Sequence, residues 1–272
     1  MPKDENVEEL DALIFVDTNI LLDFYRIRQS DVSLKYLDRL EDCRDRLIIG
    51  SQIEMEYKKN RQKAILESLS KYSSPNWGKL TPPALVANLQ AAKVIEKKKK
   101  EISTQQKKIS KKIEKILHNP SANDPVYQSL QRIFKHKSPY NLNREDKKRF
   151  SIRRLARKRF VLGYPPRKNS DTSIGDAVNW EWVIDCAISS GKNIIIVTRD
   201  TDYGAFYKGQ SYINDWLSLE FKERVSRKRK LILTDRLSFA LKAVDAVVTQ
   251  EMEEAENQLL ELLALFEIDS EE

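Results

Sequence analysis

The chain contains short runs of apolar residues separated by longer, mixed segments. Runs of this kind, almost free of polar residues, are typical of parallel strands that helices cover on both faces. They occur at residues 13–16, 47–49, 194–197 and 231–233. Each is therefore predicted to be a strand of one buried sheet.

Between these runs, apolar residues recur at the three- and four-residue spacing of helices. Helices are predicted from about residue 18, from Ser30, from Ser51, over 176–189, over 214–225 and from about 236. Gly191 is predicted to end the fourth of them, as glycine often does after a helix. Strands that alternate with helices predict an α/β fold, a three-layer doubly wound parallel sheet with right-handed crossovers.

Residues 63–162 interrupt this alternation and are predicted to form a helical insertion. Pro82-Pro83 is predicted to open a long helix that reaches about Leu117, with isoleucines every seven residues at 95, 102, 109 and 116. So narrow an apolar stripe favours a projecting arm. Further helices are predicted from Pro125 and over about 144–160. The predicted organisation is one domain over 1–62 and 163–272, with the arm between its two parts.

Charge is distributed very unevenly along the chain, whose net charge is +7. Residues 57–168 contain 30 basic and 7 acidic side chains, whereas both flanking segments are acidic. A basic segment of this size favours a phosphate-backbone partner over a merely solvated surface, because it contains arginine clusters as well as lysines. No apolar run is long enough for a membrane helix, and the two cysteines do not form a disulfide framework. A cytoplasmic protein that has no membrane partner is expected.

Two predicted strands end in an aspartate, at Asp17 and at Asp200. Ligands bind open parallel sheets at the carboxyl ends of the strands, so these carboxylates are expected to lie together. Their mutual repulsion is relieved by a hard divalent cation. Alternatively, either aspartate could cap the helix that follows its strand.

Four segments resemble, in order, the motifs of PIN-domain nucleases. They are Val16-Asp17-Thr18-Asn19, Ser51 through Glu56, Gly175-Asp176-Ala177-Val178-Asn179-Trp180, and Ile196-Val197-Thr198-Arg199-Asp200. With its long insertion, the chain resembles a PIN-like subfamily common in bacteria. The resemblance covers residues 12–61 and 163–240.

The resemblance implies that four carboxylates are catalytic and bind metal: Asp17, Glu56, Asp176 and Asp200. Thr18, Asn19 and Thr198 are expected to support them. Asp202 is a competing ligand for Asp200, and the interval between Asp176 and Asp200 is longer than in ordinary PIN domains. Glu54 is expected to be a helix cap rather than a ligand, and Glu181 to lie on a solvated helix face, although it and Asp185 remain ligand candidates.

The implied activity is hydrolysis of phosphodiester bonds with Mg²⁺ or Mn²⁺, which lower the pKa of water and stabilise charge on the phosphate. An endoribonuclease is expected, with RNA favoured over DNA, and a toxin or phage-defence role is a further expectation. Nucleic acid is expected to contact five arginines of the basic segment: Arg61, Arg153, Arg154, Arg157 and Arg159. A regulatory protein or a second copy is a further candidate partner.

Three alternatives compete with this interpretation. A DNA nuclease of the same fold has the same motifs. A catalytically silent nucleic-acid-binding module is disfavoured because all four acids are present. A haloacid-dehalogenase-like phosphatase needs an aspartate two residues after the first, where this chain has Asn19. The only histidines, His118 and His136, lie in the insertion, which disfavours histidine-dependent catalysis.

Overall fold

The computed structural model describes residues 9–27, 29–70, 81–166 and 173–269, and the side chains at 69–70 and 264–269 are not described. In these ranges, one sheet has five strands, all of them parallel to their neighbours. Its strands are β1 (Ala12–Val16), β2 (Leu47–Gly50), β3 (Asn141–Leu142), β4 (Asn193–Val197) and β7 (Leu231–Thr234). A separate antiparallel hairpin is formed by β5 (Gly204–Tyr207) and β6 (Gln210–Ile213).

The strand order is β3-β2-β1-β4-β7, so the first strand lies at the centre of the sheet. β1 pairs along its whole length with β4, from Ala12 opposite Asn193 to Val16 opposite Val197. Every residue of β1 is buried, which agrees with its purely apolar sequence. This register aligns the carboxyl ends of β1 and β4, so that the residues after Val16 and after Val197 are neighbours.

Helices flank this sheet and complete the three-layer α/β architecture that the sequence predicts. They are α1 (Thr18–Asp23), α2 (Ser30–Asp42), α3 (Ser51–Ser70), α4 (Gln90–His118), α5 (Pro120–Asn123), α6 (Pro125–Lys135), α7 (Lys148–Leu162), α8 (Gly175–Ser190), α9 (Asp215–Arg224), α10 (Leu237–Ala243) and α11 (Gln250–Asp269). α3 and α8 contact β2, and α10 contacts β4 and β7. α8 ends at Gly191 in the left-handed conformation, as expected.

Much of the segment expected to form a projecting arm belongs instead to the main body. β3 extends the sheet beside β2, and α7 packs against α8. α6 packs against α2, where Arg132 donates to both carboxylate oxygens of Glu41 at 2.7 and 2.8 Å. Only α4 keeps the character of an arm, since Ala92 is its one buried residue and the isoleucine stripe is about 40% exposed.

Two predicted helix starts in this segment are also wrong. α4 begins at Gln90, because a short 3₁₀ turn at Ala84–Val86 follows Pro82-Pro83. α7 begins at Lys148 rather than near residue 144.

The acidic C-terminal helix α11 packs on the chain's own fold. Met252, Ala255 and Leu259 are buried. Glu256 is also buried, and it accepts hydrogen bonds from the first amides of α10, at 2.6 Å from Leu237 and 3.1 Å from Ser238. This side-chain cap satisfies amide groups that have no acceptor within α10. Among the described residues, no helix combines the length and apolarity needed to cross a bilayer.

Candidate active site

Asp17 lies immediately after β1, with only 4% of its surface exposed. Its Oδ1 accepts from the backbone N–H of Thr18 at 2.6 Å, which caps α1. Its Oδ2 accepts from Thr198 Oγ1 at 2.6 Å and from Asn19 Nδ2 at 3.2 Å. Thr18, Asn19 and Thr198 therefore support Asp17 through hydrogen bonds, as expected. Asp17 also caps α1, which was the alternative role.

The environment of Asp17 opposes its negative charge. Burial, followed by the charges of Asp200 and Glu56, raises the pKa of this carboxyl from 3.8 to about 7, although the hydrogen bonds from Thr198 and Thr18 lower it. Such a shift is typical of a functional carboxylate whose compensating charge is supplied from outside the protein.

Glu56 faces this aspartate from α3. Its Oε2 accepts from Thr18 Oγ1 at 3.1 Å, and its Oε1 accepts from Gln52 Nε2 at 2.6 Å. A Cβ atom added to Gly175 would meet Glu56 Oε1 at 2.2 Å, so only glycine allows this close approach at the start of α8. Asp176 is the next residue, which explains why a glycine precedes the third acid.

Asp200 is held at the end of β4 by the same threonine that holds Asp17. Its backbone N–H donates to Thr198 Oγ1 at 3.0 Å. Thr198 is fully buried and thus links the ends of β1 and β4. The charge of Asp200 acts on Asp17.

Tyr203 is a site residue that the sequence analysis missed. It is fully buried, its ring lies 6.1 Å from that of Phe15, and its hydroxyl has no hydrogen-bond partner among the described residues. Burial and the charges of Asp176, Asp17, Glu56 and Asp200 raise its pKa well above the usual value. The charges of all four predicted acids therefore act on one buried ring. A tyrosine three residues after a strand-end aspartate has no distinctive sequence signal.

The donor set fits a hard divalent cation, since it contains carboxylate oxygens and neither histidine nor cysteine. Within the described ranges, no three acidic, histidine or cysteine side chains are close enough to ligate one ion as they stand. Carboxylates that repel one another are expected to stay apart until a cation draws them together. The negative charges of neighbouring carboxylates raise the pKa values of both Asp17 and Tyr203, which also indicates that the site needs a cation.

Glu181, expected on a solvated helix face, is buried in an ion-pair network. Its Oε1 accepts from Arg159 Nε at 2.9 Å, and its Oε2 accepts from Arg224 at 2.7 Å. Arg159 also pairs with Glu220, which accepts from Trp180 Nε1 at 3.0 Å. The prediction that Arg159 contacts nucleic acid is therefore corrected, because this side chain is 3% exposed and joins α7 to α8 and α9.

Replacing Arg159 by glutamine is expected to lower protein stability rather than nucleic-acid affinity. The substitution leaves buried Glu181 and half-buried Glu220 with only Arg224 to neutralise them, and breaking a buried pair typically costs about 3–5 kcal/mol. Denaturant unfolding measures the loss, and Arg154→Gln, on the exposed face of the same helix, provides the control. Equal stability of the two variants would contradict the structural role.

Arg61 requires a similar correction. It is 4% exposed and donates to Asp124 Oδ2 from both Nε, at 2.8 Å, and Nη2, at 2.5 Å. Nη2 also donates to the carbonyl of Ile116 at 2.9 Å. This arginine therefore fixes the end of α4 against α3 and is unavailable to a nucleic acid. Arg153, Arg154 and Arg157 remain exposed on α7.

A comparison with protein families matches residues 14–203 to the PIN domain. No curated protein and no solved structure matches the chain significantly. The matched segment contains all four acids, Thr198 and Tyr203. The chain belongs to the PIN domain family, whose members are generally metal-dependent nucleases, and the resemblance predicted from its motifs is confirmed.

Proposed function

We propose that this protein is an endoribonuclease that hydrolyses phosphodiester bonds with Mg²⁺ or Mn²⁺. The observation that carries the proposal is the pair of threonine contacts at the carboxyl edge of the sheet: Thr198 hydrogen-bonds to Asp17 and to the amide of Asp200, and Thr18 hydrogen-bonds to Glu56. The charges of these three acids and of Asp176 all act on the buried Tyr203, which supports a shared site. RNA is the proposed substrate because the resemblance to PIN-like enzymes implies a ribonuclease.

The chain's own residues prepare this site for a cation and a phosphate. Thr198 orients Asp17, while Thr18 and Gln52 orient Glu56 by hydrogen bonds to its two carboxylate oxygens. These contacts restrict the side-chain orientations of Asp17 and Glu56 before a cation and the substrate arrive, which lowers the cost of organising the site. A bound divalent cation would supply the positive charge that activates water and stabilises the phosphate.

Incubation of the purified protein with end-labelled oligonucleotides tests the proposal. Single- and double-stranded RNA and DNA are each compared with Mn²⁺, with Mg²⁺ and with EDTA. Internal cleavage of RNA that requires the metal supports the proposal. Cleavage of DNA alone would reassign the substrate, and products shortened progressively from one end would replace endonuclease by exonuclease action.

Arg153, Arg154 and Arg157 are expected to contact the phosphate backbone. The slope of log affinity against log salt concentration should become shallower when all three are changed to glutamine. The expected change is up to about 2 on single strands, since each phosphate contact contributes about 0.7 to the slope. All sequences should be affected alike, because phosphate contacts carry no base information. Fluorescence anisotropy in EDTA at several salt concentrations measures the slope.

A matched triple variant on α4 removes the same charge elsewhere. Lys107, Lys108 and Lys111 are exposed, and changing them to glutamine is expected to leave most of the slope intact. If the slope instead falls only in this control, α4 is the surface that binds the backbone.

A further inference from the structure

A small pocket lies beside the acidic cluster, between the start of α3, the strand β3 and the helices α7 and α8. Its lining includes Ser51, Gln52, Arg149, Arg153 and Asn179. Gln52 also donates to Glu56, so one side chain lines the pocket and contacts the cluster. On α8, Asn179 follows Asp176 by three residues, which places both on the same face. The pocket is therefore about one helical turn, roughly 5 Å, from the acids.

Asn179, which lines this pocket, has a buried hydrogen-bond donor without a partner among the described residues. The residue is 3% exposed, and its Nδ2 has no partner among the described residues. A buried amide donor without an acceptor costs about 1–3 kcal/mol. Such a group is rare in a folded chain, and an acceptor supplied by a ligand would explain it.

Leu142, Val178 and Trp182 form the apolar part of the lining, and the polar groups beside Asn179 are mainly donors. The first amides of α3, a helix of 20 residues, have no acceptor within their own helix. The start of a helix also carries a partial positive charge that favours anions. Arg149 and Arg153 line the pocket from α7, one turn apart, and neither pairs with a carboxylate in the described part of the chain.

The size of the pocket restricts its occupant. Its volume of about 10 Å³ has room for about one water-sized group, which is too small for a base or a sugar. A single oxygen of a larger anion fits, with the remainder of the anion lying outside near the arginines. A phosphate group meets this description, since its oxygens accept hydrogen bonds and arginine matches its geometry.

We infer that this pocket binds a phosphate of the substrate next to the one that is cleaved. The inference rests on the proposed nuclease function and adds a second contact point for the strand. Asn179 and the start of α3 hold one phosphate oxygen, while Arg149 and Arg153 neutralise its charge. An internal phosphodiester and a terminal 5′-phosphate share this chemistry.

The test pairs changes in the protein with changes in the RNA. Single-stranded oligonucleotides each carry one neutral methylphosphonate, placed in turn at every internal position, and a further pair differs only in a 5′-phosphate or 5′-hydroxyl. Affinities are measured by anisotropy in EDTA for the wild type, for Arg149→Gln/Arg153→Gln and for Asn179→Leu. Lys158→Gln is the matched control, because it removes an exposed charge from α7 outside the pocket and is not among the arginines proposed to contact the backbone.

One methylphosphonate position, or removal of the 5′-phosphate, is expected to weaken wild-type binding about tenfold, as for a lost hydrogen bond to a charged group. The control variant should show the same loss, whereas the two pocket variants, already weakened, should be insensitive at that position. Arg153 is exposed and Arg149 is half-buried, so the double arginine variant keeps the test valid if Asn179→Leu fails to fold.

Equal sensitivity of all variants, or no sensitive position, would overturn the subsite. Binding is measured without metal, so this outcome is separable from that of the cleavage assay. A sensitive position in a protein that cleaves nothing would retain the subsite and contradict the proposed nuclease.

Discussion

Replacing Asp17 by asparagine is expected to abolish cleavage. The substitution keeps the shape of the side chain and its acceptor for the Thr18 amide, and it removes the charge at the centre of the acidic cluster. Metal-ion stabilisation of a developing charge amounts to several kcal/mol, so the rate should fall at least about a hundredfold. Initial rates at saturating Mn²⁺ measure the effect. A rate within twofold of the wild type would exclude Asp17 from the site.

The same variant is expected to change how stability depends on pH in the absence of metal. Because the pKa of Asp17 is about 7 in the folded protein and 3.8 in a model peptide, the folded state binds the extra proton between these values. The stability that this proton confers is complete below about pH 4 and is lost as the pH rises through 7.

Asp17→Asn has no such proton to lose. The free energy of unfolding of the variant should therefore rise relative to that of the wild type between pH 4 and pH 8. The gain is up to about 4 kcal/mol, from about three pKa units at 1.36 kcal/mol each. Urea unfolding at both pH values, in EDTA, measures it. A constant difference between the proteins would mean that the charge of Asp17 is already compensated within the fold.

Replacing Glu56 by glutamine is expected to have the next largest effect, a loss of at least about a hundredfold in rate for the same reason. Glu54→Gln, two residues earlier on α3, is the matched control. Glu54 accepts from Lys58 at 2.6 Å on the surface, and an exposed pair of this spacing is worth about 0.3–0.5 kcal/mol. Its loss should leave the rate nearly unchanged.

Circular dichroism establishes that both variants keep their helices, and the cleavage rates then assign the ligand. A large loss for Glu54→Gln with little change for Glu56→Gln would contradict the contacts of Glu56 with Thr18 and Gln52. Equal losses would indicate that α3 as a whole, rather than one carboxylate, determines activity.

The central strands were predictable because their environment leaves few choices of sequence. β1 and β4 are covered on both faces, so nearly every residue must be apolar, and such runs are easy to recognise. Asp17 and Asp200 follow from the same geometry, since each comes shortly after one of these strands. Glu56 and Asp176 were predicted only from the resemblance to PIN-domain motifs.

The elements that were missed depend on contacts between distant parts of the chain. β3 has only two residues, which is too short for an apolar pattern to predict its pairing with β2. The lysine- and arginine-rich composition of residues 63–162 hides the apolar residues Leu130, Ile133 and Ile152 that join this segment to the core.

Arg159 illustrates why the basic surface was only partly predictable. The sequence places it among Arg153, Arg154, Arg157 and Lys158, with nothing to distinguish it. Its acidic partners Glu181 and Glu220 are 22 and 61 residues away, and only the packing of α7 against α8 brings them together. Helical spacing identifies which residues share a face, but not which face becomes buried.

The central position of β1 has a consequence for folding during synthesis on the ribosome. β1 leaves the ribosome first, yet its fully paired neighbour β4 begins only at Asn193. Domains emerge at roughly 5–20 residues per second, so β1 waits on the order of ten seconds or more for this partner. Asp17 and Asp200 cannot meet before that time. A nascent chain therefore lacks an assembled acidic cluster until β4 and Asp200 have been synthesised.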